Sequence, residues 1–401
     1  MSQSKKTYPL LCTINSGSGE DGISRVTRLL WRVLSKASSG SCKHINLLPE
    51  GKIQATAVDQ LRFASRVLAE HLKGRIDWIM YDHLGPARVQ SLVPRPLARP
   101  YALFLHSIEA WSPLSAGRLK VLREATVRIA NSHFTARRVA EAHPSVGPIE
   151  VCHLALPPSQ GTDDGANVQL NGDGASLPAT QASPSKNELD EQLLNRVGQH
   201  SVLIVGRMFS SERHKGHDSL IEAWPQVKAQ ISDAQLIIVG NGDDAPRLKA
   251  KAGERGLAGD IIFAGHVSDA TLNQLYERVA IFCMPSTAEG FGLVYLEAMK
   301  HRLPCIASPA DAASEIVEDG VTGLLVRQSE LDALAQSITG LLKNPERRRL
   351  MGEAGYARWQ HEFQFENFER RLLTILGNSF ALTPVASAEE AGKIGQGSFE
   401  Y

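Results

Sequence analysis

From residue 8 onward, short apolar runs alternate with longer stretches in which apolar residues recur every three or four positions. The short runs predict buried strands and the longer stretches predict helices with one face to bury. In the first half strands are expected at Tyr8–Asn15, His44–Leu48, Trp78–Asp82, Ala102–His106, Val127–Asn131 and Ile149–His153. Between them, Ile23, Val26, Leu29, Leu30, Val33 and Leu34 mark one helix face, and Val58, Leu61, Leu68 and Leu72 mark another more loosely. A second series follows, with strands expected at Val202–Val205, Gln235–Val239, Ile261–Ala264, Ile281–Met284, Cys305–Ser308 and Gly323–Val326. Helices are expected over 329–343, 346–359 and 364–376, the last with Phe365, Phe368, Leu372, Leu373 and Leu376 on one side. Strand and helix in turn is the signature of βαβ units and of mostly parallel, doubly wound sheets. The expected fold is therefore α/β, with two Rossmann-like domains.

Between the two series the composition changes to Gly, Asp, Asn, Ala, Ser, Gln and Pro, which cannot bury enough apolar area to offset the entropy of ordering. The expected division is a domain over 1–156, a linker or insertion over 157–195, a second domain over 196–345, C-terminal helices over 346–378 packing back toward the first domain, and a loose tail over 379–401. The 401 residues, 43% hydrophobic and 21% charged, are ample for two or three globular domains. No apolar run approaches the roughly 18–20 residues of a membrane span, and the first twelve residues lack a signal-peptide core, so a cytoplasmic location is expected. Five cysteines without a Cys-x-x-Cys pair predict buried thiols and neither a disulfide frame nor a zinc site.

The net charge is zero but unevenly spread. Residues 1–157 hold 21 Lys+Arg against 11 Asp+Glu, leaving 22 and 32 for the rest of the 43 of each sign, so the halves carry about +10 and −10. The densest basic part is Arg99, Arg118, Lys120, Arg123, Arg128, Arg137 and Arg138, which suits an anionic membrane surface, a phosphate-bearing acceptor, or an ordinary solvated surface facing an acidic partner domain. Nothing resembles a nucleic-acid module with stacking aromatics.

Ligands of open α/β sheets gather beyond the carboxyl ends of strands. The richest such stretch runs from Met284 to Lys300, where a strand ends and Glu289-Gly290-Phe291-Gly292-Leu293 opens a helix. Gly290 and Gly292 allow close backbone approach, and the N–H groups around Phe291, Gly292 and Leu293 form a cradle for a diphosphate with the helix dipole behind it. Glu289 and Glu297 bracket the cradle, the latter about 7.5 Å along the axis from Gly292, and carboxylates suit sugar and ribose hydroxyls. Arg207 and Lys215, just past the strand ending at Val205, are suitable counter-charges for a leaving diphosphate.

Residues 200–327 resemble the retaining glycosyltransferases of family four, the group 1 glycosyl transferases of GT-B fold. The resemblance rests on Gly206-Arg207, Lys215-Gly216, Val239-Gly240-Asn241-Gly242, Phe263-Ala264-Gly265 and Glu289 through Glu297-Ala298. It implies two Rossmann-like domains facing across a cleft, with Glu289 on the donor sugar, Glu297 on the ribose, Arg207 and Lys215 on the diphosphate, Asn241 in the donor site, and the backbone beside His266 and Val267 on the base. In the first domain the match is looser. Gly22 fits the second glycine of the family's Gly-Gly loop, but Asp21 replaces the first. His106 falls where the family keeps a histidine near the reacting carbon, Glu109 is a weaker neighbour, and Ser132 reads as a helix cap.

No Asp-x-Asp pair occurs, so no metal or other cofactor is expected and the two cations take that role. The implied activity is retaining transfer of a hexose from a UDP- or GDP-sugar to an acceptor hydroxyl, with a sugar or lipid-linked acceptor in cell-surface polysaccharide or glycolipid assembly and peripheral contact with the inner face of a membrane. A nucleotide-sugar epimerase or phosphorylase on the same fold, or a non-catalytic nucleotide-sugar binder, stays open at this stage.

Overall fold

The computed structural model describes residues 7–17, 22–49, 52, 54–158 and 186–380. The chain forms two units, Met1–Pro157 with Gln364–Tyr401, and Pro158–Phe363. Each is built on a six-stranded sheet in which every pairing is parallel.

In the first unit, β1 (Pro9–Thr13), β2 (Lys43–Asn46), β3 (Trp78–Tyr81), β4 (Tyr101–Leu105), β5 (Val127–Ala130) and β6 (Glu150–Val151) lie in the order β2-β1-β3-β4-β5-β6. β1, β3, β4 and β5 are buried along their whole length, which explains why they read as continuous apolar runs rather than alternating ones. The helix Gly22–Ala37 buries Val26, Leu29, Leu30, Val33 and Leu34, the face its spacing marks. Ser132 caps the helix His133–Ala142, its hydroxyl accepting the Thr135 N–H at 3.0 Å.

The helix Ala57–Lys73 departs from expectation. Its inward residues are Phe63, Val67 and His71, while Val58, Leu61 and Leu72 are 63%, 71% and 71% exposed. The cause is local: Thr56 and Asp59 form a reciprocal capping box, and Lys52 holds Asp59 at 2.9 Å, so the first turn is fixed with Asp59 inward. Two apolar stripes exist on this helix, and the cap selects the narrower one. Arg128 is likewise not part of a basic surface. It is buried, and its guanidinium donates to the carbonyls of Leu122 and Arg123 at the end of the helix Ala116–Glu124.

In the second unit, β7 (Ser201–Val205), β8 (Gln235–Val239), β9 (Ile261–Gly265), β10 (Ile281–Cys283), β11 (Cys305–Ala307) and β12 (Gly323–Leu325) lie in the order β12-β11-β10-β7-β8-β9. This is the Rossmann order, and it places the topological switch point between β7 and β10. In the first sheet the switch falls between β1 and β3.

The twelve strands sit within a few residues of their expected places. Two boundaries differ. Residues 186–196, expected as linker, form a helix attached to the second unit by buried Leu193 and Leu194 and by a 3.0 Å bond from Arg278 to the Leu194 carbonyl. The expected 346–378 segment is divided. The helix Pro345–Glu362 belongs to the second unit, where Arg358 donates to the carbonyls of Glu315 and Ile316. The helix Phe365–Phe380 belongs to the first, where Phe380 stacks on Trp78 at 4.4 Å and Lys36 pairs with Glu369 at 2.9 Å. Residues 159–185 of the expected linker and the tail from 381 on lie outside the described residues. All five cysteines are free and buried.

Candidate active site

Three strand ends of the second sheet are stitched together at their carboxyl edge. The Gly206 N–H donates to Val239 O at 2.9 Å, Met208 N–H to Asn241 O at 2.9 Å, and Gly240 N–H to Gly265 O at 2.8 Å. Such close approach needs the glycines: a Cβ on Gly240 would stand 2.1 Å from the Gly206 carbonyl oxygen, and one on Gly242 1.9 Å from that of Met208. The stitching brings Arg207, Asn241 and buried Val267 to one edge.

Beside them, on the other side of the switch point, is the turn after β10. Lys215 ends the 3-10 turn Ser210–Lys215, and its Nζ lies 2.9 Å from Glu289 Oε2, both side chains partly buried. Burial alone lowers the Lys215 pKa, but the adjacent Glu289 carboxylate outweighs it, so the net shift is upward and the ammonium form is secure. Thr287 N–H donates to His214 O at 3.0 Å, which ties the two segments along the backbone as well. Arg207 is exposed, its guanidinium 2.5 Å from Glu212 Oε1 and 5.8 Å from the Phe209 ring centre. Both expected phosphate-binding cations are thus paired with carboxylates.

Gly292 is the N-cap of the helix Leu293–Lys300, with φ of 97° and no side-chain cap. Phe291 turns inward, its ring 6.2 Å from Phe363 at 67°, so it contributes backbone to the edge rather than side chain. Glu297, further along this helix, accepts a 2.8 Å bond from the Tyr276 hydroxyl. A phenol donor of this kind aims a carboxylate without cancelling its charge.

The two remaining expected residues are in the first unit. Gly22 starts its helix, exposed, with nothing within 4 Å of where a Cβ would stand, and the preceding residues 18–21 lie outside the described ones. His106 follows β4, its Nε2 2.5 Å from Asp82 O. The carboxylate of Glu109 accepts the N–H groups of His106 and Ser107 at 2.9 and 3.0 Å. The ring of His83 lies against His106 with centres 6.0 Å apart, and burial lowers the His83 pKa to about 4, keeping it neutral.

Four residues here escaped the sequence reading: Glu212, Tyr276, Asp311 and His83. Only His83 and Asp311 carried a signal, as polar residues just past a strand end. Asp311 is buried, and its Oδ2 accepts the Glu289 N–H at 2.8 Å.

Residues 185–358 match the profile of the family described as glycosyl transferases group 1. A GDP-mannose-dependent monoacylated alpha-(1-6)-phosphatidylinositol monomannoside mannosyltransferase of Corynebacterium glutamicum is 38% identical over 169 residues, 40% of this chain and 44% of that protein. A GDP-mannose-dependent alpha-(1-6)-phosphatidylinositol monomannoside mannosyltransferase of Mycolicibacterium smegmatis is 28% identical over 323 residues, 78% of each chain. The chain thus spans less than half the length of the first of these relatives and about four-fifths of the second. Among solved structures, sucrose-phosphate synthase of Thermosynechococcus elongatus superimposes with a TM-score of 0.72 at 21% identity, covering 94% of this chain and 100% of that one. That likeness fixes the fold class as α/β of GT-B type. The stretch that matches the glycosyl transferases group 1 profile, residues 185–358, holds the Lys215–Glu289 pair and the Gly292 helix start.

Proposed function

We propose that the protein transfers a hexose from a nucleoside-diphosphate sugar to an acceptor hydroxyl, with retention of anomeric configuration and without a metal ion. The observation that carries this reading is the Lys215–Glu289 pair at 2.9 Å beside a helix start capped only by glycine, at the switch point of a Rossmann sheet. When the bond between the anomeric carbon and the β-phosphate oxygen breaks, that oxygen keeps the electron pair. Lys215, Arg207 and the helix start oppose the new charge, and Glu289 is left to take hydroxyls of the donor sugar. The acceptor proton passes to the departing phosphate, as family chemistry implies. For His106 a role near the reacting carbon is only what the family resemblance implies; within its own unit Glu109 fixes its backbone and Asp82 its ring.

The names of the relatives favour GDP-mannose as donor and a lipid-linked acceptor. Turnover of a panel of UDP- and GDP-sugars, followed with and without chelator, tests the reading. Transfer from at least one donor that persists in chelator is expected; loss in chelator with recovery on adding magnesium or manganese removes the metal-free part. Glu297→Gln is expected to weaken binding of the free nucleoside diphosphate by about tenfold while changing kcat little, as calorimetry and kinetics would show.

Peripheral membrane contact is supported by the helix Ala57–Lys73, whose exposed Val58, Leu61 and Leu72 run beside exposed Arg62, Arg66 and Lys73. No described helix is long and apolar enough to cross a membrane. Sedimentation with phosphatidylglycerol-containing vesicles at low salt is expected to carry the protein down, and Leu61→Asp with Leu72→Asp to release it; equal recovery of wild type and variant in the supernatant contradicts the contact.

A further inference from the structure

Asp311, 1% exposed, lies just past β11, and its carboxylate accepts backbone N–H groups on both oxygens. Oδ2 takes the Glu289 N–H at 2.8 Å and Oδ1 takes the Ala313 N–H at 3.0 Å, and the neighbouring Ser286 hydroxyl favours the ionised form. In return the Ala312 N–H donates to the Glu289 carbonyl at 3.3 Å. The peptide groups on both sides of Glu289 are therefore held by residues 311–312, while the Glu289 side chain meets Lys215.

We infer that Asp311 is a positioning residue, whose ionised carboxylate fixes the backbone of Glu289 and through it the Lys215–Glu289 pair that receives the donor sugar and its leaving phosphate. The inference rests on the donor-site reading above and names a control built into that same site. Only the carboxylate form offers acceptors to all its neighbours; the protonated acid must turn a hydroxyl toward one of them.

The charged groups around Asp311 are few. The turn after β10 contributes the Glu289 carboxylate, with Lys215 behind it. The helix Leu293–Lys300 contributes the Tyr295 phenol, which burial holds neutral and which donates to Met284 O. Burial first, and the like charge of Glu289 second, push the Asp311 pKa up to about 7 against the hydrogen bonds that lower it. Donor turnover then depends on a group that titrates near neutrality. The sign is set by geometry: the clamp is complete above that pH and loosens as pH falls through it.

The test compares wild type with Asp311→Asn and Ser286→Ala. Wild-type kcat with the nucleotide sugar is expected to show an acid limb near pH 7. Asp311→Asn removes the limb, lowers kcat at pH 8 by about tenfold or more, and weakens binding of the nucleotide sugar while leaving binding of the nucleoside diphosphate alone within about threefold. Ser286→Ala keeps the limb but moves it to higher pH, because it deletes a neighbouring hydroxyl that favours the ionised carboxylate, and it serves should Asp311→Asn fold poorly. Folding supplies an activity-free readout. An acid whose pKa is raised on folding stabilises the native state most at low pH and loses that contribution as pH rises toward the folded value. The wild-type Tm should therefore fall relative to that of Asp311→Asn between pH 4 and pH 7. Wild-type kcat and an unmoved acid limb in Asp311→Asn overturn the inference. Wild-type protein that binds no nucleoside diphosphate overturns the donor-site reading instead, and the melting comparison still reports whether Asp311 titrates in place.

Discussion

Lys215→Ala is expected to lower kcat/KM for hexose transfer by about a hundred- to a thousandfold, the usual cost of removing one preorganised donor to a developing anion. The effect should appear mainly in kcat, since charge on the leaving phosphate grows as the glycosidic bond breaks. It should exceed that of Arg207→Ala, because Arg207 is exposed and shares its guanidinium with Glu212, whereas Lys215 is partly buried and held at 2.9 Å on Glu289. Alanine also strands the Glu289 carboxylate without its partner, so part of the loss is expected as a lower Tm. Steady-state kinetics over a range of donor concentrations separates the terms. A variant within threefold of wild type in kcat removes Lys215 from the chemistry.

Gly292→Ala carries the second large effect. At φ of 97° an L side chain is strained, and a Cβ there would stand 2.5 Å from Tyr295 Cδ2. The ring cannot step aside: it is fully buried, packs edge-on against Phe282 with centres 5.4 Å apart, and its hydroxyl is bonded to the Met284 carbonyl. The turn must move instead, and with it the amides of the helix start. About 1–3 kcal/mol of strain is expected, read as a Tm lower by several degrees, together with donor affinity weaker by about thirtyfold or more in calorimetry. Undiminished affinity in a folded Gly292→Ala protein indicates that the phosphates lie away from this turn.

Most of the fold was legible because parallel sheets impose a strong pattern. Strands buried on both faces must be continuous apolar runs, and these sat within a few residues of their expected places. What failed was whatever depended on a choice between equivalent local solutions. Val58, Leu61 and Leu72 mark a helix face only loosely, and with the Thr56–Asp59 cap fixing the first turn they face solvent while Phe63 and Val67 turn inward. Arg128 reads as one cation among many until its strand places it against the open carbonyls of a neighbouring helix end. The polar composition around residues 186–196 hides Leu193 and Leu194, two residues that suffice to seat a helix.

The candidate site divides the same way. Lys215, Glu289 and Gly292 were visible because phosphate chemistry restricts residue type and glycine marks the turn. Tyr276 was not, and Asp311 showed only as a polar residue past a strand end, because they act on Glu297 and Glu289 from 21 and 22 residues away in sequence and no local spacing encodes that.

The most direct test is a crystal structure of the wild-type protein with an intact nucleoside-diphosphate sugar. The β-phosphate is expected within hydrogen-bonding distance of Lys215 Nζ and of the backbone N–H groups at the Gly292 helix start, with the sugar hydroxyls on Glu289. Phosphates bound anywhere else, or a divalent ion bridging them in place of Lys215 and Arg207, contradict the account.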